Sequence, residues 1–194
     1  MKKLILVWLA LLAINASAIN ISGGLPGLGA GGAYSLLSNN FATSATFTRP
    51  ANTTAYAIGD VVGSATTINN TLAGIGSTTG APFIVANAAI RIDINAIPSG
   101  MGTFRLHLYD SAPTAIADNV AFNIPSGDRA KYIGYVEIST ITDMGDTLYV
   151  NSENINLFRK LATGSTTIYA MLQTLTAFTP SSADVYTVYL YGTL

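Results

Sequence analysis

The chain has 194 residues, 10% of them charged and 49% hydrophobic, with a formal net charge of −1. Cysteine is absent, which excludes disulfides, a thiolate nucleophile and a cysteine-based zinc site. The basic residues Arg49, Arg91, Arg105, Arg129, Lys131, Arg159 and Lys160 are scattered, so no stripe fits a phosphate backbone and nucleic-acid binding is not expected. Soluble domains are usually about one-quarter charged. A surface this poor in charge predicts a chain that hides part of itself against its own copies or a partner.

Residues 1–20 have the layout of a secretory signal peptide. Lys2 and Lys3 precede an apolar run, Leu4 to Ile14, and Ala16-Ser17-Ala18 has the small-x-small form of a cleavage site. The run is too short for a comfortable membrane span. Two readings stay open: an export signal, or a retained apolar arm that docks on a neighbouring subunit. With no other long apolar run, no membrane span is expected in the mature form.

Residues 21–40 form a glycine-rich arm. Gly23, Gly24, Gly27, Gly29, Gly31, Gly32 and Pro26 oppose both helix and central strand. A phosphate-cradling loop would need a strand before it and a helix after it, and neither is present. The arm's apolar residues Leu25, Pro26, Leu28, Tyr34, Leu36 and Leu37 are the candidate contacts with a capsid or subunit surface.

Residues 41–194 read as one domain. Thr46–Gly63 starts as a strand, stops at Pro50, turns through Asn52-Thr53-Thr54 and resumes at Val61-Val62 after a tight Gly59-Asp60 turn. Tyr56 is expected to pack beneath that turn. Residues 65–80 read as a loop with a weak hairpin at Asn69-Asn70. Residues 81–97 read as two strands split by a turn at Asn87. Ile90, Ile92 and Ile94 share one face, while Arg91, Asp93 and Asn95 share the other. In Thr103–Asp110, Phe104, Leu106 and Leu108 oppose Arg105, His107 and Tyr109. Ala112–Asn119 reads as a loop or short helical turn. Further strands are expected at Tyr132–Ile138, Thr147–Val150, Asn156–Leu161, Thr166–Leu172 and Val185–Tyr191. Eight or nine short strands at these spacings predict an all-β fold, an antiparallel, jelly-roll-like β-sandwich.

The residues offer little chemistry. His107 is the single histidine, so every histidine-based acid–base scheme must use it. Mid-strand between Arg105 and Tyr109, it reads as a polar-face or subunit-contact residue. One histidine cannot build a histidine-cluster metal site. Asp143-Met144-Gly145-Asp146 lacks the ligand spacing of a calcium loop and reads as a β-turn. No carboxylate pair stands out for glycosidase chemistry. Ten tyrosines are present; Tyr189 and Tyr191 share a strand face opposite Tyr186 and read as core and interface rather than a sugar platform. No catalytic residue, cofactor or metal is expected.

Three stretches together resemble tailed-bacteriophage virion structural proteins: TFTRPANTTAYAIGDVVG (Thr46–Gly63), HLYDSAPTAIADNVAF (His107–Phe122) and TAFTPSSADVYTVYLY (Thr176–Tyr191). They cover about a quarter of the chain, in order. The resemblance implies a β-rich, non-enzymatic structural protein of the virion, assembled in the host cytoplasm. It implies a capsid decoration or cement role at capsomer junctions, or a fibre-like attachment. The partners implied are the major capsid protein or other virion proteins, with a homo-oligomer, a trimer favoured. It supplies no functional residues to transfer. The leader departs from this pattern and keeps a second reading in place: an exported β-sandwich module that binds surfaces or glycans.

Overall fold

The computed structural model describes residues 40–63, 70–72, 75, 79–139 and 141–194. The leader, residues 21–39 of the glycine-rich arm and most of the 65–80 loop, including Asn69, lie outside the described residues, and Asn40 opens the first strand.

Among the described residues eleven strands form two antiparallel sheets: β1 (Asn40–Thr48), β2 (Val61–Val62), β3 (Asn70–Leu72), β4 (Pro82–Ile92), β5 (Phe104–Tyr109), β6 (Tyr132–Ile138), β7 (Thr142–Asp143), β8 (Leu148–Ser152), β9 (Leu157–Lys160), β10 (Ile168–Thr174) and β11 (Val185–Thr193). One sheet runs β1-β11-β4-β8-β7, with β9 also on β4; the other runs β2-β10-β5-β6, with β3 also on β10. Strands distant in sequence therefore interleave, β11 between β1 and β4, and β10 between β2 and β5. This double-sheet order is the jelly roll, an arrangement found in viral capsid domains, lectins and cupins. The expected all-β antiparallel sandwich is the fold observed.

Alternation builds the core. Phe104, Leu106 and Leu108 from β5 face Phe47, Ile90, Ile92, Tyr186, Val188 and Leu190 from the opposite sheet, and all are fully buried. Fully burying an aliphatic or aromatic side chain contributes about 1.5–3 kcal/mol each. Phe104 meets Phe178 and Tyr186 edge-on, with ring centroids 6.1 and 5.8 Å apart.

The predicted turn at Asn87 is absent. Residues 82–92 form one strand, and Ala86 is an extra residue against β11: Tyr191 pairs with Asn87, but Gly192 pairs with Val85. The bulge flips the strand's parity, so Phe83 and Val85 point inward before it, and Ala88, Ile90 and Ile92 after it. That break in alternation mimics a turn in the sequence. At the same place β4 changes partner, from β9 (Val85 with Leu157) to β8 (Ala88 with Ser152), and the Ala86 carbonyl accepts a bond from Ile155 N at 3.0 Å.

Gly192 sits opposite the bulge. A Cβ there would collide with the Ile84 carbonyl oxygen and the Phe41 ring. Backbone on one side cannot yield, so Gly192→Ala is expected to cost roughly 2–3 kcal/mol, as overpacked cores do. Urea unfolding of the variant measures this; an unchanged midpoint would remove the close approach from the account.

Candidate functional site

The densest polar arrangement among the described residues is a buried knot around Arg49, the residue after β1. Pro50 ends the strand, and the chain loops back so that Tyr56 N bonds Phe178 O at 2.9 Å. Arg49 is 2% exposed. Its Nε donates to Tyr56 Oη at 2.6 Å. Nη1 donates to Asn52 O and Ser181 O, at 3.1 and 2.9 Å. Nη2 donates to Asn52 Oδ1 and Thr54 O, both at 3.3 Å, and lies 3.7 Å from Asp118 Oδ2. A guanidinium has five N–H donors, and here each has an acceptor.

The knot extends through Tyr56. Its hydroxyl donates to Asp118 Oδ1 at 2.5 Å, and Gly63 N donates to the same oxygen at 3.1 Å. Burial, then the Asp118 hydrogen bond, push the Tyr56 hydroxyl far above the usual phenol range, so it stays a donor. The Arg49 guanidinium also stands over the Tyr56 ring, 4.7 Å from its centroid. Asp184 closes the far side. Its Oδ2 accepts from Ser181 N at 2.9 Å, its carbonyl accepts from Arg49 N, and burial raises its pKa. Asp60 Oδ2 accepts from Ala57 N at 2.7 Å. Asn119, at a φ of 60° that asparagine tolerates, is oriented with its amide nitrogen towards Ala55 O and Asp60 Oδ2, the assignment that satisfies all three.

This knot gathers the three stretches that carry the virion-protein resemblance. Arg49, Tyr56 and Asp60 come from the first, Asp118 and Asn119 from the second, Ser181 and Asp184 from the third. Tyr56 does pack beneath its turn, as expected, at 2% exposure. The buried ion pair was not foreseen. The one signal in sequence was an arginine set directly before proline at a strand end.

His107 occupies a second buried cluster, 3% exposed, against the expectation of a polar-face or subunit-contact residue. The outer face of β5 is not open to solvent, because residues 111–131 cross over it. Phe122 stacks on the imidazole with centroids 3.6 Å apart and planes 14° apart. The crossing segment is held by Val61 N to Val120 O, Asn119 N to Val61 O and Phe122 N to Gly59 O, each 2.9 Å. Its base is held by Asp128, which accepts from Lys131 Nζ and Thr114 N, both at 2.7 Å. The Lys131 ammonium, with Thr114, holds the Asp128 carboxyl down at about 2.

The His107 tautomer follows from its neighbours. Gln173 Nε2 donates to Gly59 O at 2.9 Å, so Gln173 Oε1 must accept. It lies 3.0 Å from His107 Nε2, which therefore carries the proton. Nδ1 is left to accept from the Tyr132 hydroxyl at 3.1 Å. Both ring nitrogens are satisfied with the ring neutral. Burial, with Arg105 adding to it against the Gln173 bond, lowers the pKa to about 4. Among the described residues this histidine has no carboxylate partner; its ring is held by Gln173, Tyr132 and the stacked Phe122, which is the environment of a packing residue.

The remaining candidates are equally quiet. Asp143 Oδ1 accepts from Gly145 N at 2.8 Å and Met144 N bonds Thr147 O, a β-turn as expected. Tyr189 and Tyr191 share a face, with ring planes 10° apart, while Tyr186 lies in the core. A shallow pocket of about 380 Å³ is lined by Asn40, Phe41, Ala42, Ala86, Tyr191, Gly192 and Thr193, a set with no acid, base or nucleophile pair. Among the described residues no group of three metal-ligating side chains converges, and no helix is long and apolar enough to cross a membrane. The predicted contact residues Leu25, Pro26, Leu28, Tyr34, Leu36 and Leu37 lie outside the described residues.

No family model matches this chain, and no curated protein does. Among solved structures it is similar to a chain of the Israeli acute paralysis virus full particle heated to 63 degrees, at 12% identity and a TM-score of 0.37, over 92% of this chain and 76% of that one. It is similar to a chain of mud crab dicistrovirus, at 14% identity and a TM-score of 0.25, over 91% and 76%. It is also similar to a chain of the capsid of Ralstonia phage GP4, at 17% identity and a TM-score of 0.20, over 73% and 86%.

Two measurements check these assignments. Arg49→Lys removes the fork and strands its acceptors; breaking a buried pair costs about 3–5 kcal/mol. Arg91→Lys, at the exposed Arg91–Asp93 pair, is expected to cost less than about 0.5 kcal/mol. Urea unfolding separates the two, and equal losses would sink the knot's importance. The second concerns pH. The His107 pKa is lower folded (about 4) than unfolded (about 6.5), so between these values the unfolded chain binds more protons. The stability that His107 contributes is full above pH 6.5, falls as pH drops towards 4, and is lost below that. His107→Gln is expected to flatten the stability–pH curve in that window; a parallel curve would refute the buried neutral ring.

Proposed function

We propose that this chain is a non-enzymatic structural protein of a virion, most specifically a capsid decoration or cement protein that clamps neighbouring capsid subunits. The carrying observation is where the shared sequence goes. The three stretches that resemble phage virion proteins meet in one knot, and its polar groups are turned inward on each other. What the resemblance preserves is therefore scaffold, a rigid end to a jelly roll, with no reactive group presented to a cleft.

The surface supports the same reading. On the outer face of the β1-β11-β4-β8 sheet, Asn40, Ala42, Ser44, Thr46 and Thr48 lie beside Thr193, Tyr191, Tyr189, Thr187 and Val185, then Asn87, Ala89 and Arg91, then Tyr149 and Asn151. Arg91 is the one charge in that array. A hydroxyl-rich, nearly neutral face suits a lasting protein contact better than free diffusion. The glycine-rich arm, through Leu25, Pro26, Leu28, Tyr34, Leu36 and Leu37, is proposed as the tether to the shell.

The layout of residues 1–20 favours a second reading, an exported binding module. Intact-mass spectrometry of the protein in gradient-purified particles and in cleared culture medium separates the two. The virion reading expects the protein in particles, in fixed ratio to the shell protein. Its presence in the medium alone, with a mature N-terminus near Ile19, would transfer support to the exported module.

A further inference from the structure

The order of residues in β9 is inverted. Phe83 and Val85 of β4 point into the core, and their partners on β9 are Arg159 and Leu157. Directly opposed residues share a face. Arg159 therefore points between the sheets, while Phe158, 61% exposed, points to solvent. An arginine inside and a phenylalanine outside reverse the usual preference for burial. Packing alone does not explain the position.

The contacts of Arg159 do explain it. Its guanidinium crosses from the sheet of β4 and β9 to β6, the strand at the end of the other sheet. Nε donates to Ile133 O, and Nη1 donates to Phe158 O at 2.6 Å. Gly134 makes room for it, since a Cβ there would lie 2.8 Å from Nη2. Further along β6, Ser152 Oγ from β8 donates to Glu137 O at 3.1 Å. Two carbonyls of β6 are thus held by side chains of the opposite sheet.

Those two carbonyls are the ones a pairing strand would need. In an antiparallel pair of β6 strands centred on Tyr135, Ile133 of each copy falls opposite Glu137 of the other. Hydrogen-bonded pairs recur at every second residue, so Ile133 and Glu137 belong to the same ladder as Tyr135. No like charges meet in this register, because Glu137 faces Ile133. The strand is otherwise suited to pairing, with Tyr, Ile and Val at five of its seven positions. A second strand cannot take the Ile133 carbonyl without displacing the guanidinium, and a charge left between the sheets without its acceptor is costly. Inward-pointing charges are one of the devices by which sheet edges escape pairing with other chains.

We propose that Arg159 is an edge guard: with Ser152, it bars a second copy of this chain from adding its own β6 to this one. The guard acts in the folded chain whether or not the protein is a virion component.

The chain has no cysteine, so one introduced thiol reports cleanly. Tyr135→Cys is placed in the full-length protein with Arg159 intact, with Arg159→Met and with Arg159→Gln. Both changes remove the charge and keep an unbranched stem to pack between the sheets. Circular dichroism shows which of them fold, and either one alone decides the question. Directly opposed residues have Cβ atoms about 5 Å apart, within reach of a disulfide. Under mild oxidant Tyr135→Cys is expected to give a linked pair when Arg159 is replaced, and none when it is present. Tyr149→Cys, at an exposed position on the other sheet, is expected to link no more with Arg159→Met than with Arg159 in place. Equal linking of Tyr135→Cys with and without Arg159 would overturn the proposal. So would an equal gain at Tyr149→Cys, which would mark general loosening in place of an opened edge.

Discussion

The fold depends on a buried guanidinium that is fully answered. Arg49 leaves the end of β1, and its acceptors arrive from three places: its own turn (Asn52, Thr54, Tyr56), the 181 loop, and Asp118 in the segment that crosses the second sheet. A charge out of water is costly unless every donor is matched. The three loops therefore have little freedom to move singly, since displacing one leaves a buried charge short of a partner. That is how a loop-rich end of a sandwich becomes rigid without a disulfide.

The same economy explains the second sheet. Residues 111–131 could have been a long free excursion, a source of entropy cost and mobility. They are instead pinned at Asp128, Asp118 and Phe122, and they bury the outer face of β5. The outer side of β5 at His107 is thereby covered, while Tyr135 and Glu137 on the neighbouring β6 stay exposed.

Much of this architecture was legible in the sequence, because alternation is a local signal. β5 falls where its period of two placed it, β6, β9 and β11 fall where strands were expected, and the Gly59-Asp60 and Asp143–Asp146 turns follow from residue chemistry. What was not legible is non-local. Ser181 lies 132 residues from Arg49, and Asp118 lies 62 from Tyr56, so no window could reveal the knot. The burial of His107 depends on Phe122 folding back over it, which strand periodicity cannot see. At Asn87 the local signal misled, because a bulge and a turn break alternation alike. The strand order was beyond reach for the same reason: sequence shows which residues face together, and not which strand lies beside which.

The placement of β11 bears on how the chain comes to be folded at all. β11 is inserted between β1 and β4, so the larger sheet stays split until residues 185–193 have been made. Asn40 must find Thr193 across nearly the whole domain, a contact of high order that makes folding slow. Until then the β1 edge that β11 covers is open, and nascent chains crowded on one message are exposed to mispairing through it. Residues 185–193 thus act as the closing wedge of the larger sheet.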